Sequence, residues 1–251
     1  MLMRLTLSKI SPQFLLWISR IRIIGSKIRV KYLKEDEGTI NKLTLRELLG
    51  PNPLIIDVGA YDGNDAIEFS SIFPNGLIYA FEALPENFLK LWQNCQTLDN
   101  IVTICGAVGK TSGVKNFFQS SGTSDGSGSI LPPSQHLSRH PSVLFLQEHE
   151  VVVLETTLDN YFSTKIFSKV DLIWLDAQGA EQIVLEGGSN LIKKTSYVYM
   201  EVSEIPLYEG AASYKDIKTF MSNNGFIVFK EFLPKNWDGE GNVLFKNRMF
   251  S

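Results

Sequence analysis

Short apolar runs that stop at an acid recur along this chain, and they alternate with stretches of helical spacing. Leu54-Ile55-Ile56-Asp57-Val58 runs into the turn Gly59-Ala60-Tyr61-Asp62-Gly63, and Leu77 to Phe81 is closed by Glu82. Val170 to Leu175 ends at Asp176, and Tyr197 to Met200 ends at Glu201. Runs this brief and this uniformly apolar read as strands buried on both faces. Strands that alternate with helices build an α/β domain whose mostly parallel sheet is covered on both sides. The spacing predicts helices from Gly63 to about Ile72, from Pro85 to about Thr97, from Ala180 to Glu186 and over roughly 213–223. Further strands are expected at Ile101–Cys105 and Phe226–Phe229, and Asn242–Lys246 is expected to close the sheet as an edge hairpin.

With 251 residues, 44% of them hydrophobic, the chain can bury one large core. Its two cysteines, Cys95 and Cys105, form neither a disulfide framework nor a CxxC, which points to a reducing, cytoplasmic home. The net charge of −3 hides a division. Eight of the 24 bases lie in residues 1–34, where there is no acid, so an arm of +8 joins a body of −11. The body is therefore expected from residue 51 to 251, with residues 1–50 as a basic, amphipathic arm. Three readings of the arm stand together: an apolar face packed on the body, peripheral contact with an anionic membrane at its inner face, or a cleaved transit segment. No run in it is long enough to cross a bilayer.

Parallel sheets bind ligands at the carboxyl ends of their strands, and Asp57, Gly59, Gly63, Glu82 and Asp176 fall on that one edge. Glycines in a strand-to-helix turn, with an acid 19 residues after Gly63 at the end of the next strand, fit a dinucleotide or S-adenosylmethionine (SAM). Charge discriminates between them. Asp57, Asp62 and Asp65 would repel a pyrophosphate but favour a sulfonium and an ammonium, and the middle glycine that admits a pyrophosphate is missing.

The order Ile56-Asp57-Val58-Gly59-Ala60, Ala80-Phe81-Glu82, Gly106-Ala107-Val108-Gly109, Thr157-Leu158-Asp159, Leu175-Asp176-Ala177-Gln178-Gly179-Ala180-Glu181 and Glu201-Val202-Ser203 resembles the FkbM family of SAM-dependent methyltransferases. The resemblance continues through Tyr208-Glu209-Gly210 and Asn224-Gly225-Phe226, over about residues 54–230. It implies a Rossmann-like, seven-stranded class I methyltransferase fold, and O-methylation of a hydroxyl on a sugar, glycan or secondary metabolite. A SAM-binding module without catalysis and a nicotinamide-dependent oxidoreductase are the alternatives. The resemblance places Asp57, Gly59, Ala60, Tyr61 and Gly63 around the methionine part of SAM, Glu82 on its ribose, and Ala107 in the cofactor site. Two departures stand out: Tyr61 where many members have Asn, and Trp174 where many have Lys.

Methylating a hydroxyl needs a base as well as alignment. His136, His140, His149, Asp176 and Glu201 are the candidates; Asp176 and His136 are expected as catalytic, with Glu201 holding the acceptor. Residues 119–129, rich in Ser and Gly, predict a mobile hinge, so 110–150 reads as an insertion or lid that carries His136. Trp174, Tyr199, Tyr208 and Trp237 are candidates for a sugar-stacking platform or for core. No metal set is expected, and the acidic body argues against nucleic acid.

Overall fold

The computed structural model describes residues 38–146, 151–234 and 239–250; the basic part of the arm, His149 and Trp237 lie outside them. Seven strands form the main sheet: β1 (Leu54–Val58), β2 (Leu77–Glu82), β3 (Ile101–Cys105), β9 (Val170–Leu175), β10 (Thr195–Ser203), β11 (Phe226–Phe232) and β12 (Glu240–Asn247). Their order is β3-β2-β1-β9-β10-β12-β11, parallel from β3 to β10. The direction of the chain across the sheet reverses between β1 and β9, which opens a crevice at their carboxyl ends.

Each face carries its own core. Ile56, Val58, Ile173, Leu175, Val198 and Met200 pack under the helices Leu158–Phe162, Glu181–Glu186 and Tyr214–Asn223. Ile55, Ile78, Leu172 and Tyr199 pack under Leu45–Leu49, Asn64–Ile72 and Pro85–Cys95. The alternation follows from the two-residue period of a strand, which sends neighbours to opposite faces.

Three expectations shift. The 240–247 strand is not at the edge: it lies between β10 and β11, antiparallel to both, and β11 is outermost. β10 continues two residues past Glu201 to Ser203. The body begins near Glu37 rather than at 51, because Ile40, Leu45 and Leu49 are buried in the second core.

The expected lid has structure of its own. β5 (Gly113–Phe117) pairs with β8 (Val151–Thr156), which also pairs with β4 (Ala107–Val108); β6 (Ser120–Gly122) pairs with β7 (Val143–Phe145). The Ser/Gly-rich stretch therefore includes a strand and an isolated bridge from Phe118 to Ser129.

Candidate active site

The turn after β1 is held by backbone geometry. Gly59 and Ala60 both donate to the carbonyl of Phe81, at 3.0 and 2.9 Å, and Gly59, Tyr61 and Gly63 adopt left-handed φ values of 88°, 48° and 88°. A β-carbon on Gly59 would come within 1.9 Å of the Asp176 carbonyl oxygen, so only glycine lets the ends of β1 and β9 approach this closely. Gln178, in the turn after β9, is also left-handed, at 51°. Among the described residues, the two non-glycines held in this conformation thus sit on the two turns that face the crevice, where such strain is characteristic of sites.

A concave cleft opens there, at the carboxyl ends of β1, β2 and β9. Gly59, Tyr61, Glu82, Ala107 and Asp176 line it. Glu82 Oε2 accepts from the Tyr61 amide at 2.9 Å and Oε1 from the Leu84 amide at 2.8 Å. Burial pushes its carboxyl up to about 7, against the pull of those amides. Asp57, Ala60 and Gly63 do not reach the cleft. Asp57 is buried beneath the turn with Oδ2 unpartnered among the described residues, and burial first, then the nearby Asp65, holds its carboxyl well above the usual range. Ala60 belongs to the core, and Gly63 makes room for Leu91 and Cys95 of the next helix. These three shape the turn beneath the cleft.

The mouth holds a group of residues that the sequence reading missed. The Tyr61 hydroxyl donates to Asp125, whose other oxygen takes Lys90 Nζ at 3.0 Å, and that ammonium lies 5.1 Å from the centre of the Tyr61 ring. Asn87 Nδ2 reaches the Asp125 carbonyl at 3.4 Å. The hydrogen bond from Tyr61, then the one from Lys90, draws the Asp125 carboxyl below its ordinary value. The Ser/Gly-rich segment is thereby tied across the cofactor turn.

Gln178 joins this cleft to a second one, lined by Glu181, Glu201, Glu240, Tyr208 and the apolar Val202, Leu207 and Ile217. Its Nε2 donates to Asp176 Oδ1 at 2.5 Å, and its Oε1 lies 3.1 Å from the Tyr208 hydroxyl. Asp176 opens to solvent through the cleft yet is densely surrounded by protein atoms, which raises its carboxyl despite the Gln178 amide. Glu181 braces the same turn, Oε1 accepting from Ala177 and Gly179 amides at 3.0 and 3.2 Å; burial puts it at about 7. Burial and the neighbouring Asp176, Glu181 and Glu240 raise Glu201 strongly.

His136 lines neither cleft. It is 4% exposed, its ring packs on His140, Phe145 and Tyr208, and its amide donates to Leu207 at 3.0 Å. It stands in the wall behind Tyr208 rather than on a lid tip. Trp174 and Tyr199 are core, stacked on each other at 3.9 Å, and Tyr208 is buried with its hydroxyl 2.7 Å from the Ser127 carbonyl oxygen. Among the described residues no three His, Cys, Asp or Glu side chains converge as metal ligands, and no helix is long and apolar enough to cross a membrane.

The residues fit SAM. Gly59 leaves a cradle without a side chain, Glu82 offers a carboxylate beside it, and Phe81, Ala107, Val108 and Ile130 give an apolar wall for a base. Sheet order and site together define a SAM-dependent methyltransferase. Residues 57–228 match the methyltransferase FkbM domain, and the chain belongs to that family. It is 33% identical over 202 residues to the 2-O-methyltransferase NoeI of Sinorhizobium fredii (strain NBRC 101917 / NGR234), covering 78% of this chain and 80% of that protein. Among solved structures it is similar to Aeropyrum pernix fibrillarin with natively bound SAM, at 15% identity and a TM-score of 0.45, covering 81% of this chain and 74% of that one. It is also similar to a SAM-dependent methyltransferase from Aquifex aeolicus, at 12% identity and a TM-score of 0.42, covering 90% and 96%. These last two likenesses are too distant to speak to a substrate.

Proposed function

We propose that the protein transfers the SAM methyl group to a hydroxyl of a sugar, glycan or secondary metabolite bound in the second cleft. The observation that carries this reading is the shared Gln178: a carboxylate-lined pocket adjoins the cofactor cleft, and Asp176 stands beside the side chain common to both. SAM supplies an electrophilic methyl group when bound. Asp176 Oδ1 is engaged by Gln178, which leaves Oδ2 to take the hydroxyl proton; a carboxyl raised towards neutrality is a better base than an ordinary one. Glu201 and Glu240 are positioned to accept hydrogen bonds from neighbouring hydroxyls, and the apolar wall excludes water. Gln178 fixes the orientation of Asp176, and Tyr208 in turn fixes Gln178. His136 acts in this scheme as support for Tyr208.

Similarity to a 2-O-methyltransferase supports oxygen as the acceptor atom. The test is incubation with methyl-labelled SAM and a panel of mono- and oligosaccharides, with the product resolved by NMR. A methyl ether on a ring hydroxyl is the expected result; a methylated nitrogen or carboxylate would replace this reading. The +8 charge of residues 1–34 supports a peripheral contact with anionic membrane in addition.

A further inference from the structure

The cofactor turn rests on residues N-terminal to the stretch that matches the family, 57–228. In the register of the sheet Asp57 lies beside Trp174, and Trp174 beside Tyr199, which puts the three on one face across β1, β9 and β10. A short strap crosses that row. Thr39 Oγ1 and the Ile40 amide meet the Tyr199 hydroxyl at 3.0 and 3.3 Å. Two residues on, Lys42 Nζ lies 5.0 Å from the centre of the Trp174 ring and 5.5 Å from that of Phe69. It contacts Asp65 Oδ1 at 2.5 Å and Glu68 Oε2 at 2.9 Å, with its side chain 12% exposed.

A lysine this enclosed is costly unless it compensates something, and the compensation is visible. Asp57, buried under the glycine turn with an unpartnered oxygen, has like charges around it. Asp65 faces it from the adjoining helix, Asp176 from the end of β9 and Glu82 from the end of β2, while Cys95 lies near on the Pro85–Cys95 helix. Lys42 is the cation that offsets them, and Tyr199 contributes a neutral hydroxyl at the other end of the row.

We propose that Lys42 is a positioning residue for SAM: held over the Trp174 ring, it clamps Asp65 and Glu68 of the helix that opens at the glycine turn, and so fixes the turn on which the cofactor docks. The strap is thus part of the cofactor site although it makes no contact with the cleft. This inference rests on the SAM site and not on the identity of the acceptor.

The test measures SAM affinity by calorimetry for the wild type, Lys42→Met and Lys42→Arg. Without the cation that holds Asp65 and Glu68, Lys42→Met should bind at least about tenfold more weakly. Lys42→Arg, which keeps the charge, should restore affinity to within about threefold of wild type. No deficit in Lys42→Met, or an equal deficit in Lys42→Arg, overturns the proposal. Should Lys42→Met fail to fold, Asp65→Asn carries the test: it removes the carboxylate that Lys42 clamps at the start of the helix, so SAM affinity must fall by at least about fivefold, and an unchanged affinity overturns the proposal.

Discussion

Gly59 and the backbone carbonyl of Asp176 are in such close approach that a single β-carbon would sit 1.9 Å from the oxygen. The glycine turn after β1 and the turn that opens at Asp176 therefore share one contact surface. Gly59→Ala combines that overlap with a left-handed φ, which alone costs about 1–3 kcal/mol. The expected outcome is a lower melting temperature and loss of both SAM binding and turnover, read by calorimetry and by release of S-adenosylhomocysteine.

Glu82 should make SAM affinity depend on pH around neutrality. Its carboxyl is raised to about 7 by burial, and only the ionised form gives charge-assisted hydrogen bonds to ribose hydroxyls. Affinity is expected to strengthen as pH rises through about 7. In Glu82→Gln that rise should vanish, and Glu82→Ala should lose about 1.5–3 kcal/mol of binding at higher pH. Titration calorimetry at a series of pH values checks both.

Glu181 carries a related consequence for folding. A carboxyl at 4.5 in the unfolded chain and about 7 in the folded protein binds more protons when folded between those values. Stability without SAM should therefore fall as pH rises from about 5 to about 7, by up to about 3 kcal/mol for this group. Glu181→Gln keeps an oxygen for the Ala177 and Gly179 amides and should flatten the slope in urea unfolding.

Asp176 and His136 are separated by their surroundings, and kinetics should separate them too. Asp176→Asn is expected to bind SAM and lose roughly 10²–10⁴-fold in turnover, the range for a general base. His136→Asn, altering a buried ring against Tyr208, should lower the melting temperature while retaining most turnover. The reverse pattern would return the base to His136.

The basic arm makes a prediction independent of the cleft. Deleting residues 1–34 leaves the strap at 39–42 in place, so SAM affinity should be unchanged. Sedimentation with anionic vesicles should be lost in the truncated protein, and in the full chain it should weaken with salt, as exposed charges do beyond roughly 8–10 Å. A full chain that ignores such vesicles at low salt removes the membrane reading.

What could be read from the sequence divides along physical lines. Asp57-Val58-Gly59 and Glu82 were legible because a strand, a glycine turn and an acid at the next strand end are local patterns with one geometric outcome. Asp125, Asn87 and Lys90 were not, since their meeting depends on how a Ser/Gly-rich stretch lies across Tyr61, and composition says only that such a stretch has weak preferences of its own. His136 misled for a similar reason. Its i, i+4 relation to His140 is real and gives rings 4.8 Å apart, but burial behind Tyr208 is a tertiary fact. Lys42 carried no signal, because a lysine in a stretch of mixed charge reads as solvated until its partners on a later helix are seen. The placement of the last strand was hidden too: a hairpin pattern does not reveal which of its two strands meets the sheet.

Leu207 and Tyr208, in the wall of the second cleft, lie on a loop that is bonded in turn to the 132–136 segment behind it. Ser134 and His136 donate to Leu207, Glu209 donates to Pro132, and Pro133 bridges Tyr208. None of these bonds takes part in the register of the seven-stranded sheet or in the glycine turn. Selection can in this way exchange one acceptor for another by redrafting two loops in concert, while inheritance of the methyl-donating half stays fixed.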